Sequence, residues 1–206
     1  VEIWPGPQGW YTEILAPLLR EKGKLYAAHF PADSDIAFYT KSLQRFEQKM
    51  AERPAVYDRV TITHLYPPTQ TTIAPEGSAD AVLTFRNVHN WLKAGTAAQA
   101  FEAFFVALKP GGTLGVVEHR APQSMTMEEQ IGSGYISEAE VKRLAEHAGF
   151  IFEKSAEINA NPMDAHIHPE GVWTLPPSLR LGDQDREQYL QIGESDRMTL
   201  RFRKPN

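Results

Sequence analysis

The chain has no cysteine in its 206 residues. That excludes disulfides, cysteine-ligated zinc and thiol catalysis, and leaves the compartment open. It also lacks any apolar run near the ~20 residues a membrane-spanning helix needs, so no membrane partner is expected. Positive charge is scarce: 21 Lys and Arg stand against 26 Asp and Glu, a formal net charge of −5. This balance argues against a nucleic-acid surface. The one basic cluster, Arg201, Arg203 and Lys204, is interleaved with Phe202 and reads as the outward face of a terminal strand. P-loop, serine-elbow and G-x-G-x-x-G patterns are absent. The first residues lie inside an apolar run with no initiator Met, so the expectation is that a native segment precedes them. Localisation and oligomeric state are not legible.

What is present is an alternation of strand and helix patterns. Composition is that of a globular domain, 42% hydrophobic and 23% charged. The length suffices for one full core, so a single domain over 1–206 is expected. A short apolar run carrying Glu2 ends in a Pro/Gly turn at 5–9, and residues 10–20 read as a helix with Trp10, Ile14 and Leu18, flanked by Leu15 and Leu19, on its apolar side. Strands are expected at 24–30, 59–65, 79–85, 113–118, 150–158 and 198–202. Helices are expected at 35–52, with Ile36, Tyr39, Leu43, Phe46 and Met50 in step, and at 97–108, with Phe101, Phe104, Phe105 and Leu108. Ser137 to Glu140 is a capping-box signature for another helix. Residues 159–197 are rich in Pro, Gly, Asn and Asp and read as an irregular loop or lid before the last strand. Strands separated by helices imply right-handed crossovers and a mostly parallel sheet with helices on both faces.

Three stretches carry a resemblance: the opening from Glu2 to Gly9, the run from Ala79 through Phe85 to Trp91, and Ala107-Leu108-Lys109-Pro110-Gly111-Gly112. In this order, with Leu144 to Phe150 before the sixth strand, they resemble class I S-adenosylmethionine-dependent methyltransferases. The Glu-Ile-Trp-Pro-Gly opening and the Gly-Val-Trp segment are similar to a group of bacterial predicted methyltransferases. The resemblance implies a Rossmann-like α/β fold with a mostly parallel seven-stranded sheet. It also implies S-adenosylmethionine as cofactor and a small molecule as methyl acceptor. The family's first motif places glycines two, four and six positions after its acid. Here those positions hold Trp4, Gly6 and Gln8, with Gly9 one step later. The acid usual at the end of the second strand is replaced by His29-Phe30-Pro31.

By this resemblance Glu2, Trp4, Gly6, Gly9, His29, Phe85 and Arg86 are the cofactor-binding candidates. Glu2 would accept a hydrogen bond near the loop, or tie the loop's own N–H groups together. His89 and Asn87 are the catalytic candidates, because an imidazole titrating near neutrality suits removal of an acceptor's proton. Asn90, Trp91, His119 and Arg120 are the substrate candidates. For Glu118, His119 and Arg120 two readings stay open: a ligand-facing cluster, or an internal salt bridge. His166 and His168 alternate as a metal pair would, but two local ligands do not close a site, and no metal is expected. His64 and His147 read as structural. Two other functions remain: a methyltransferase-like fold with an altered cofactor site acting as a non-catalytic binding protein, and a nicotinamide-dependent reductase, which the glycine spacing disfavours.

Overall fold

Strands form where apolar and β-branched residues run between Gly and Pro turns, and helices form where the apolar period lengthens. The computed structural model describes residues 1–206. The order is β1 (Glu2–Ile3), α1 (Thr12–Leu19), β2 (Leu25–His29), α2 (Ala37–Glu52), α3 (Pro54–Tyr57), β3 (Val60–His64), β4 (Ala79–Phe85) and α4 (Val88–Ala94). It continues with α5 (Ala97–Ala107), β5 (Leu108–His119), α6 (Met127–Ser133), α7 (Glu138–His147) and β6 (Ile151–Ala156). After a short 3-10 turn, Gly171–Thr174, come α8 (Arg186–Ile192) and β7 (Arg197–Arg203).

The seven strands make one sheet in the order β3-β2-β1-β4-β5-β7-β6. Strand β1 pairs in parallel with β2 and β4, and β2 with β3, whereas β6 and β7 pair antiparallel. The sheet is therefore mixed. Strand sequences follow the pairing: β2, Leu-Tyr-Ala-Ala-His, is buried along nearly its whole length, as a parallel strand covered on both faces must be. Strand β7 instead alternates, with Met198, Leu200 and Phe202 buried and Arg201 exposed. Arg201 and Arg203 both reach Glu153 of β6, at 2.6 and 3.0 Å, so these two face outward as expected, whereas Lys204 turns onto the end of α5.

The chain divides into two compact units. The first comprises Val1–Thr84, Gln99–Leu114 and Lys204–Asn206. Here one expectation is corrected. Trp10, Ile14 and Leu18 are exposed by 63%, 51% and 72%, and α1 turns Thr12 and Ala16 inward instead. The cause is polar: the Glu2 carboxylate is buried and takes the Thr12 hydroxyl at 2.6 Å, which sets the helix rotation. Leu15 and Leu19 still pack on the cluster of Ala16, Leu25 and Tyr57. A second correction concerns Lys109 to Gly112, read as a turn before a strand at 113. Strand β5 already begins at Leu108, because Gly111 and Gly112 exchange backbone hydrogen bonds with Lys204 at 3.0 and 2.9 Å. The Lys204 ammonium also caps the end of α5, donating to the carbonyls of Phe105 and Leu108.

The second unit comprises Phe85–Ala98 and Gly115–Arg203. Ser137 caps α7, its hydroxyl accepting from the Glu140 N–H at 3.2 Å. The reciprocal bond is missing, since Glu140 turns to Arg143. A complete capping box appears at α6 instead, between Thr126 and Glu129, a helix the periodicity did not indicate. The segment after β4 is also helical from Val88.

Candidate functional site

The first unit places five of the cofactor candidates in one turn. Trp4 takes a left-handed backbone, φ +46°, and Gly6 and Gly9 do the same at +70° and +52°. An added Cβ meets nothing at Gly6, but at Gly9 it would lie 2.7 Å from the Phe46 ring. Trp4 is held by its indole N–H, which donates to the Leu65 carbonyl at 2.9 Å, and by Phe30, whose ring centre is 4.6 Å away. The indole is thus fixed between the end of β3 and Phe30. His29 is buried; its Nε2 lies 3.2 Å from the Gly6 carbonyl and its Nδ1 accepts the Phe30 N–H. Burial holds it neutral, pushing its pKa down to about 4. Glu2 is fully buried. One oxygen serves Thr12, and the other, Oε1, is buried with no hydrogen-bond partner. Desolvation pushes this carboxyl up to about 7, against the opposing bond from Thr12.

The second unit gathers a different chemistry at the ends of β4 and β5. Asn87 is the N-cap residue of α4, and the helix turns His89 inward, where it is 7% exposed. The Glu118 carboxylate, fully buried, lies 3.1 Å from His89 Nδ1 and accepts the backbone N–H groups of His89 and His119. Burial pushes the Glu118 carboxyl up, but the charge and hydrogen bond of His89, with those of His119, outweigh it and hold it below its usual range. His119 stands beside it, with ring centres of the two imidazoles 5.5 Å apart. Its Nδ1 is 2.5 Å from Ser195 Oγ. Desolvation pushes His119 down to about 3, against the attraction of Glu118, and the charges of His89, Arg197 and Arg86 push the same way as burial. Arg86 sits at φ +60°, a left-handed backbone uncommon outside glycine.

The segment 159–197 wraps this cluster through a buried carboxylate. Asp164 accepts from the Tyr135 hydroxyl at 2.8 Å, from the backbone N–H groups of His166 and Asp196, and lies 2.8 Å from His168 Nε2. Burial raises the Asp164 carboxyl, yet these bonds prevail and bring it to about 2. His166 and His168 therefore serve separate carboxylates, Asp196 and Asp164, and do not form a metal pair. Trp173 lies edge-on to His89, ring centres 5.8 Å apart, with the Arg180 guanidinium 4.7 Å over its ring. Trp173, Arg180, Met125, Pro122, Ile167 and Glu129 help line a cavity of about 570 Å³, a volume suited to a small-molecule ligand.

The other candidates part company. Arg120 is consumed by carboxylates: Asp196 at 2.9 Å, Glu157 at 2.7 Å and Glu138 at 3.5 Å. The open trio thus divides, with Glu118 and His119 joining His89 while Arg120 forms the internal salt bridge. Trp91 is 1% exposed, an interior side chain, and Asn90 is exposed. Phe85, half-buried, ends β4. Sequence reasoning missed Ser195, Asp164 and Arg197, which lie in or next to the irregular segment with no motif around them.

By sequence, no protein family and no curated protein matches the chain. By structure, many solved proteins do. A SAM-dependent methyltransferase from Methanosarcina mazei is 10% identical with a TM-score of 0.62, over 99% of this chain and 91% of that one. The [4+2]-cyclase SpnF gives 15% and 0.62, over 99% and 73%. The mitomycin 7-O-methyltransferase MmcR gives 14% and 0.57, over 98% of this chain, which spans only about half, 48%, of the MmcR chain. The likeness establishes the fold: an α/β architecture with a seven-stranded sheet, shared with S-adenosylmethionine-dependent methyltransferases.

Proposed function

We propose that the chain is an S-adenosylmethionine-dependent methyltransferase acting on a small molecule. The single observation that carries this reading is the dyad of His89 and buried Glu118, set on a fold many methyltransferases use. The loop after β1 fits the cofactor in part: Glu2 Oε1 is a buried acceptor without a partner, and Gly6 leaves open space. Glu2 and Gly6 would hold the cofactor, with Gly9 and His29 shaping the turn; for Phe85 and Arg86 a cofactor role rests on the resemblance alone. When bound, S-adenosylmethionine supplies the methyl group.

The chain's own residues then handle the acceptor. Glu118 accepts the Nδ1 proton of His89, which leaves the Nε2 lone pair as the base for an acceptor hydroxyl or amine. A carboxylate behind the imidazole fixes its tautomer and stabilises the imidazolium that forms. Asn87, the N-cap residue two positions before His89, makes no side-chain cap hydrogen bond to the helix, and its proposed part is toward the acceptor. Trp173 packs edge-on beside the imidazole and also lines the cavity of about 570 Å³, which makes it the link between the base and a neighbouring acceptor pocket.

Calorimetric titration with S-adenosylmethionine and S-adenosylhomocysteine tests the reading. Micromolar binding weakened by Glu2→Ala or Gly6→Val supports it; no heat and no thermal shift at millimolar ligand overturns it. A second reading, a methyltransferase-like fold with an altered cofactor site acting as a non-catalytic binding protein, is favoured by the Trp4 indole in the loop. The same titration separates the two.

A further inference from the structure

We propose that His89, Glu118 and His119 form a binding site for one divalent transition-metal ion, independent of whether the chain transfers methyl groups. One ligand atom from each residue, two imidazole nitrogens and a carboxylate oxygen, lies within 4.8 Å of the others, and all three side chains are buried. In metal sites with bonds near 2 Å, neighbouring ligand atoms are roughly 3 to 3.5 Å apart. His89 Nδ1 and Glu118 Oε1, at 3.1 Å, already meet that spacing. The His119 donor lies within 4.8 Å of both and closes on them when the ion binds.

The surroundings hold these donors as a metal site requires. Ser195 Oγ engages His119 Nδ1, so the ring is oriented and Nε2 is the nitrogen left to ligate. The Glu118 carboxylate is fixed by two backbone N–H groups. Trp173 shields His89 on its flank. Two imidazoles and one carboxylate are a donor set for zinc, cobalt, nickel or iron rather than for magnesium or calcium, which prefer oxygen. Three protein ligands leave a coordination position open.

Charge selects what fills that position. Arg86 Nε is buried without a hydrogen-bond partner, and the Arg197 guanidinium is paired with Glu194 at 2.6 Å. A bare cation is opposed by the Arg86 guanidinium; a cation carrying hydroxide or a deprotonated acceptor oxygen is not. Nδ1 of His89 then ligates the ion or donates to Glu118, but not both. Metal and proton-abstracting forms of the site are alternatives.

The test uses the purified chain, stripped with chelator and dialysed, titrated with cobalt(II) alone and then with zinc(II) in competition. The expected result is one equivalent of cobalt bound below about 1 μM, with ligand-field absorption in the visible that zinc abolishes. His119→Gln should weaken uptake by at least 100-fold, and Ser195→Ala, which only orients a ligand, by about 10-fold. His147→Gln, on the exposed end of α7, should bind as the parent does. Each variant is checked for folding by circular dichroism, and Ser195→Ala keeps the test decisive if His119→Gln does not fold. No saturable uptake at millimolar cobalt or zinc overturns the proposal. So does a single site unaffected by both His119→Gln and Ser195→Ala. Failure of the cofactor titration leaves these outcomes untouched.

Discussion

The turn after β1 and the cluster at the ends of β4 and β5 both bury titratable groups, but they treat them differently. In the turn, nearly every polar group is satisfied locally: His29 by Gly6 and Phe30, Trp4 by Leu65, Thr12 by Glu2. One carboxylate oxygen is left over, and its burial raises the Glu2 carboxyl to about 7. In the cluster, Glu118 is held ionised by two imidazoles, and the imidazoles keep nitrogens to spare. A buried acid without a cation becomes neutral; a buried acid with polarised partners becomes the centre of a reactive site. The proposed function gives the first region a holding role and the second a reactive one.

The largest expected effect breaks that contrast at its active end. His89→Ala should lower methyl transfer, followed as S-adenosylhomocysteine formation, by about 10²- to 10⁴-fold while leaving cofactor affinity within twofold. Equal losses of turnover and affinity would move His89 to the holding side. Next is stability as a function of pH. The Glu2 carboxyl is raised in the folded state, so its contribution is full below pH 4.5 and declines as pH rises to 7. Across that window it removes about 3 kcal/mol from the folded state. Glu2→Gln should therefore gain on the parent as pH rises, in urea melts at pH 4.5 and 7.5; parallel curves would show that Glu2 is ionised throughout.

Asp164 titrates with the opposite sign. Its carboxyl is lowered from 3.8 to about 2, so it stabilises the fold above pH 3.8, and that stability is lost as pH falls through 2. Asp164→Asn should erase this acid dependence, worth about 2 kcal/mol, and should speed hydrogen exchange in the 159–197 segment. Two substitutions test the turn, and the second is the smallest effect expected. Gly9→Ala meets both a left-handed φ and the Phe46 ring, and should cost about 2 to 4 kcal/mol. Gly6→Ala meets only the φ penalty, about 1 kcal/mol. A reversal in thermal melts would mean that the turn is arranged differently.

Much of this was legible in the sequence. The span of β4 was read correctly, α2 and α5 were placed to within two residues, and His89 and His119 were named. Errors fell where local pattern met a distant polar partner. Helix α1 presents Thr12 rather than Trp10 because Glu2 is buried against it, ten residues away. Strand β5 starts early because Lys204 pairs with its glycines. Helix α6 buries only Gln130 and leaves Met127 exposed, so it has no apolar period to read, although its Thr126 and Glu129 spell a capping box.

The sequence by itself determined the succession of strands and helices and excluded cysteine chemistry, because period and composition act locally along the chain. Only the tertiary structure decided that Glu118 joins His89 and His119 while Arg120 turns away to Asp196. Spacing cannot foretell that division: β5 ends at His119, alternation would set Glu118 and His119 on opposite faces, and the partners that choose come from 29 residues upstream and 76 downstream.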